Sequence, residues 1–261
     1  MYDNFSGSGN TAIGMNALIG NIQGNNNAAF GKDALFTNNS GNNATALGYG
    51  AMQYANNSET PFANTNVAVG FEALRGSANP STNTGLDNTV TGYQALWSNT
   101  SGISNTAIGL KSLFSNTTAN YNTSIGASSL YNNVVGFYNT ANGSSALYSN
   151  VTGDFNTAIG SDAMFSNTTG KSNVASGYKA LFANTEGQLN TALGEAALKD
   201  NTVGNYNVAS GGNSLSTNVA GSKATAIGYG AMQYAKNTNT AYDNRNIAVG
   251  FEALRGSTTP A

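Results

Sequence analysis

Asn105-Thr-Ala-Ile-Gly-Leu-Lys-Ser-Leu-Phe-Ser-Asn-Thr-Thr-Ala-Asn-Tyr121 holds one full period of this chain. Its opening pentapeptide, Asn105-Thr-Ala-Ile-Gly109, recurs with small variations fourteen times, beginning at residues 10, 27, 44, 66, 88, 105, 122, 139, 156, 173, 190, 207, 224 and 246. Copies lie 17 residues apart, stretched to 22 after those at 44, 66 and 224. A fixed period of this size predicts a stacked architecture, one structural unit laid on the next. The reading is an all-β solenoid or β-roll of about fourteen coils over residues 10–261, preceded by a lead-in at 1–9.

Superposing the copies shows what each position must do. Position one is Asn in twelve coils (Asn10, Asn105, Asn156 and Asn246 among them) and Ala at 44 and 224. Position three is Ala except at Val90 and Ser124, and position five is Gly throughout, as at Gly14, Gly109, Gly160 and Gly250. Position eight is Ala or Ser, and position nine is Leu or Met, as at Leu18, Leu113 and Leu254. This predicts two short strands per coil, near positions 2–4 and 7–10, with alternating faces. Small residues at three, five and eight imply a narrow interior. The Asn row is expected to stack on itself as an amide ladder. The remainder, such as Ser115-Asn-Thr-Thr-Ala-Asn-Tyr121, reads as a polar turn.

Position four is usually apolar (Ile13, Phe30, Leu47, Val69, Ile108, Ile159, Val249) and points away from Ala at three. Two or three large apolar side chains per coil return only a fraction of the cost of ordering 17 residues. A second buried surface is therefore expected, supplied by association of copies around an axis.

Composition limits the partners. Only 8% of the 261 residues are charged and the net charge is −2, without runs of either sign, so neither nucleic acid nor an acidic membrane is expected. There is no Cys and no His, and no general-base, nucleophile or metal constellation is readable; no cofactor or catalysis is expected. No stretch approaches the roughly 20 apolar residues of a membrane span, so membrane insertion is not expected. Met1-Tyr2-Asp3-Asn4 lacks the start of a signal peptide, which implies either export by another route or a fragment of a longer protein; Arg255-Gly-Ser-Thr-Thr-Pro260-Ala261 stops in mid-coil, which favours the fragment.

Asn105-Thr-Ala-Ile-Gly109, Asn66-Val-Ala-Val-Gly70 and Asn246-Ile-Ala-Val-Gly250 resemble the head repeats of trimeric autotransporter adhesins, the YadA-like β-rolls. The fuller unit at 105–118 is similar to repeats of phage-type tail fibres and of the mosaic adhesive trimeric fibres of predatory bacteria. The resemblance implies a parallel homotrimer displayed outside a bacterial cell or on a virion. It also implies attachment to a host or prey cell-surface molecule, with glycans as one candidate class.

Three features are candidates for binding. Ala44–Ala55 recurs as Ala224–Ala235, each followed by a long turn (56–65 and 236–245) and then Phe-Glu-Ala-Leu-Arg-Gly at 71–76 and 251–256. These superrepeat copies, around 44–77 and 224–257, place Phe62, Tyr242, Asp243 and Arg245 in the variable turns, where they either bind a ligand or brace one protomer against the next. Trp97, Phe114, Tyr131, Tyr148, Phe165 and Phe182 occupy position ten of six consecutive coils, and Tyr121, Tyr138, Phe155 and Tyr206 sit at coil ends. Such rows serve packing or stack on sugar rings. Nine coils carry Thr at position two, which supports an alternative class, a monomeric surface- or ice-binding solenoid. Glu72 with Arg75 and Glu252 with Arg255 are expected as ion pairs.

Overall fold

Every pentapeptide forms one three-residue strand, and the strands pair in parallel at identical repeat positions. A computed structural model describes residues 6–235 and 238–257; the quoted Met1-Tyr2-Asp3-Asn4 and the terminal Pro260-Ala261 lie outside the described residues. The chain is an all-β parallel solenoid of about fourteen turns, with a single 3-10 turn at Pro80–Thr82 among the described residues.

It divides into two compact units, Met1–Val135 and Gly136–Ala261. The first carries β1 (Thr11–Ile13), β2 (Ala28–Phe30), β3 (Gly41–Asn42), β4 (Thr45–Leu47), β5 (Phe62–Ala63), β6 (Val67–Val69), β7 (Thr89–Thr91), β8 (Thr106–Ile108) and β9 (Thr123–Ile125). The second carries β10 (Thr140–Asn142), β11 (Thr157–Ile159), β12 (Val174–Ser176), β13 (Thr191–Leu193), β14 (Val208–Ser210), β15 (Gly221–Ser222), β16 (Thr225–Ile227), β17 (Tyr242–Asp243) and β18 (Ile247–Val249). In-register pairing is strict: Thr89, Val90 and Thr91 lie on Thr106, Ala107 and Ile108, and Thr157, Ala158 and Ile159 on Val174, Ala175 and Ser176. Two small sheets, β3–β5 and β15–β17, form where the long turns return to the stack.

Alternation within each strand sends position three inward, so Ala107, Ala141 and Ala158 are fully buried while position four faces out. Where the coil at 122 has Ser for Ala at both inward small positions, the two hydroxyls satisfy each other: Ser124 Oγ and Ser129 Oγ are 2.6 Å apart. The large apolar core is the position-nine row, Leu18, Leu35, Leu96, Leu113 and Leu130 in the first unit and Leu147, Met164, Leu181, Leu198 and Leu215 in the second, all fully buried.

The expected second strand at positions 7–10 does not form. Those residues make turns in which positions seven and nine are left-handed, as at Lys111 (φ 52°) and Leu113 (φ 52°), or Asp162 (φ 56°) and Met164 (φ 50°). A leucine at positive φ is sterically costly. Complete burial of its side chain and a bond from Leu113 N–H to the Ser129 carbonyl (3.0 Å) offset that cost. Gly at position five has two reasons to stand there: at Gly109 φ is 129°, and a Cβ would lie 2.6 Å from the Gly126 carbonyl oxygen.

The expected Asn ladder is present, and a second runs beside it. Asn105 N–H donates to Asn88 Oδ1 (2.9 Å) and Asn105 Nδ2 to the Ala119 carbonyl (2.8 Å). Asn116, at position twelve of the same coil, donates to Asn99 Oδ1 (2.9 Å) and to that same Ala119 carbonyl (3.2 Å). In the second unit Asn156 and Asn167 converge likewise on the Gly170 carbonyl, at 2.8 and 3.1 Å. Coils with Asn at both positions therefore hide two amide side chains whose hydrogen-bonding groups are met by their neighbours, the condition under which burying polar groups is tolerated. Position fifteen is small because a Cβ on Gly102 would strike the Asn99 side-chain oxygen.

The lead-in at 1–9 already belongs to the stack from Ser6 onward. Ser6 N–H donates to the Ile22 carbonyl (3.1 Å) and Ser8 N–H to Asn25 Oδ1 (2.8 Å), repeating the bonds from Ser101 to Thr117 and from Ile103 to Asn120.

Candidate functional site

Two of the long turns return an amide to ladders from which their coils have dropped one. In the coil at 44, positions one and twelve are Ala44 and Ala55, so both ladders lose a rung. Asn64, from the end of the following turn, fills the gap. It donates to Asn38 Oδ1 (3.0 Å) in one ladder and accepts from Asn66 Nδ2 (2.8 Å) in the other. Asn244 makes the second of these contacts in the second unit, accepting from Asn246 Nδ2 at 2.7 Å beside Ala224 and Ala235. The inner ends of these turns are thus part of the core.

Phe62 and Tyr242 lie on that inner side. Phe62 sits over Gly41, whose absent Cβ would be 2.7 Å from Phe62 Cζ, and Tyr242 covers Gly221 in the same way. Tyr242 Oη donates to Asn218 Oδ1 (3.4 Å), and loss of solvent around the phenol holds its pKa above the usual tyrosine value. Both rings are half-buried and brace the turn against the preceding coil of their own chain.

Asp243 and Arg245 point the other way. Asp243 accepts from Lys223 Nζ (2.9 Å) and from Arg245 at Nε (3.1 Å) and a terminal nitrogen (2.6 Å). Lys223, then Arg245, hold its carboxyl below the usual aspartate range. The three side chains are exposed, so solvent screens the pairs. The first superrepeat has Ala63 and Thr65 in the equivalent places, so this charged trio marks the second turn alone. Lys236 and Asn237, which open that turn, lie outside the described residues.

The position-ten aromatics form face-to-face stacks. Trp97, Phe114 and Tyr131 stack at 5.3 and 5.1 Å, and Tyr148, Phe165 and Phe182 at 5.1 and 5.4 Å, with planes within 13° of parallel. Trp97 has the Arg75 guanidinium on its other face, 5.1 Å from the ring. Stacking on a sugar needs an open ring face, and in these rows faces are spent on neighbours while edges meet solvent. At the coil ends Tyr138 and Phe155 stack at 5.3 Å, and Phe137 stands edge-on to both.

A further aromatic row was not singled out from the sequence although it keeps the same phase. At position six, Tyr49, Phe71 and Tyr93 stack at 5.0 and 5.1 Å in the first unit, and Tyr229 on Phe251 at 5.7 Å in the second. All five are exposed, as are several position-four side chains: Ile108 is 39% and Ile159 45% accessible. These rows place large apolar side chains in water on the outward side of each unit.

The acid–base pairs are local. Glu72 lies 3.5 Å from Arg75 and Glu252 2.7 Å from Arg255, within one turn. Among the described residues no three metal-binding side chains come together, and no helix is long and apolar enough to cross a membrane. No protein-family model, curated protein or solved structure matches the chain.

Proposed function

We propose that the chain is a non-enzymatic segment of an extracellular homotrimeric fibre, of the adhesin or tail-fibre kind, that mediates attachment to a cell-surface molecule. The observation that carries this is the exposed apolar row at position four. Ile108 and Ile125 in one unit, and Ile159, Leu193 and Ile227 in the other, each leave about two-fifths of their surface in water. Full burial of such a side chain contributes about 1.5–3 kcal/mol. A repeat that places one in ten of fourteen coils gains by covering them together, which parallel copies in the same register do. The number three comes from the resemblance to trimeric adhesin repeats. The turn of the second superrepeat, with Asp243 and Arg245 where the first has Ala63 and Thr65, is the feature we assign to attachment.

The threonine row offers less to a monomeric surface-binding reading. Thr106 and Thr123 are half-buried, and the fully outward neighbours are Ile108 and Ile125. Light scattering tests the proposal: a mass of about 80 kDa, three times the 26.6 kDa chain, is expected, and a monomer at micromolar concentration refutes it.

A further inference from the structure

The chain contains its own control for what covers a coil. Residues 66–76, Asn-Val-Ala-Val-Gly-Phe-Glu-Ala-Leu-Arg-Gly, recur at 246–256 with Ile247 for Val67 as the single change. In the first copy this surface is covered by the coil at 88. The amides of Val67, Leu74 and Gly76 donate to the carbonyls of Asn88, Ala95 and Trp97, at 2.9, 2.9 and 3.1 Å. Glu72 Oε2 accepts from Gln94 Nε2 (2.8 Å) and Trp97 Nε1 (3.1 Å), and Arg75 lies over the Trp97 ring. Asn83, in the intervening turn, donates to the carbonyls of Tyr54 and Ser77.

The second copy presents the same groups uncovered. Among the described residues no acceptor meets the amides of Ile247, Leu254 and Gly256. Leu254 is 64% accessible where Leu74 is 7%, and Phe251 76% where Phe71 is 41%. Between Met52, Tyr54, Phe62 and Leu74 the first copy leaves about 30 Å³. The same place, between Met232, Tyr234, Tyr242 and Leu254, is an open cleft of about 510 Å³.

We propose that this face of the coil at 246 is a docking surface for one further β-coil of the 88–104 type, with Gln at position seven and Trp at position ten. Glu252 then receives two N–H donors and Arg255 an aromatic face, as Glu72 and Arg75 do. Several other coils of this chain fit less well. The coil at 27 would set Asp33 against Glu252, and the coil at 190 would set Lys199 against Arg255. A second copy docked by its first coil would bring Asn16 and Ile19, one donor and no aromatic ring. The inference is independent of the trimer.

The test replaces residues 258–261 of the full chain with a repeat of the 78–121 sequence, and follows the Leu254 amide by hydrogen exchange. Exchange should slow by about 100-fold, approaching that of Leu74, because local opening then requires lifting a coil. The emission of the added Trp should match that of Trp97. A matched chain carrying the 190–206 sequence in place of the 88–104 coil should protect Leu254 at least about tenfold less. The proposal is overturned if the added segment exchanges like an unfolded chain or if both added coils protect equally. It is also overturned if the unextended chain polymerises end to end and protects Leu254 just as well.

Discussion

Asn105→Ala removes one rung of the buried amide ladder. Asn105 Nδ2 gives up the Ala119 carbonyl (2.8 Å) and a longer contact to Asn88 Oδ1 (3.2 Å). Asn105 Oδ1 no longer receives Asn122 N–H (3.0 Å) or Asn122 Nδ2 (3.3 Å). Two of the groups left behind keep a partner: the Ala119 carbonyl still accepts from Asn116, and Asn88 Oδ1 from the Asn105 backbone. The buried Asn122 amide loses its acceptor, which costs about 1–3 kcal/mol, and the other lost bonds add about 0.5 kcal/mol each. The sum is about 3 kcal/mol. Exchange of the Asn122 amide should therefore accelerate by more than about 100-fold at fixed protein concentration, with the exposed Thr118→Ala as a neutral control. Alanine stands at this position naturally at 44 and 224, but there Asn64 and Asn244 take over the bonds. An acceleration of less than about tenfold would refute the view that each rung is held by its neighbours.

Gly109→Ala combines a forbidden φ with a clash against the Gly126 backbone, so loss of soluble folded protein is expected on expression. Ser124→Ala with Ser129→Ala restores the Ala–Ala pair of most coils and should shift the unfolding midpoint by less than about 1 kcal/mol, whereas Ser129→Val overpacks the interior and costs about 1–3 kcal/mol. The Asp243 carboxyl is held below its ordinary value of 3.8, so what its pairs with Lys223 and Arg245 contribute is complete above that value and is lost as pH falls through the lower folded one. Titration by NMR should show the Lys223 and Arg245 side-chain signals moving only in that acid window, and a midpoint above 3.8 would contradict the geometry. Replacing Ile108, Ile125, Ile159 and Ile227 with Asn, the residue already present at 142, should leave a folded monomer while abolishing the trimeric mass; an unchanged mass would remove position four from the interface.

What was legible in the sequence is what each coil must repeat. Asn at one, small residues at three and eight, Gly at five and Leu at nine read directly as ladder, narrow interior and core. Asn at twelve and a small residue at fifteen keep the same phase, yet inside Ser115–Tyr121 Asn116 and Ala119 look like ordinary turn residues, so the second ladder is not legible there. The left-handed leucines were not legible because nothing in leucine's chemistry asks for positive φ; packing imposes it. Asn64 was unreadable for another reason: its task, replacing the amides missing at Ala44 and Ala55, exists only once three coils are stacked. Phe62 and Tyr242 were singled out for the variability of their turns, and it is the inward side of those turns that holds them.

The matching of every coil to every other also creates a problem of wrong neighbours. Strands that pair position for position carry little to tell the seventh storey from the eighth, and a skipped coil would bury nearly the same groups. Sequence distance supplies the discrimination. A proper neighbour is only 17 or 22 residues away, so its contacts close small loops, whereas a skipped one must leave a whole coil looped out and unsatisfied. The departures from the repeat, Ser124 with Ser129 and the Ala coils with their borrowed Asn64 and Asn244, then act as keys that fit at one level each. Such a chain is best assembled as it is synthesised, from one end, with each finished coil the floor on which the next is laid.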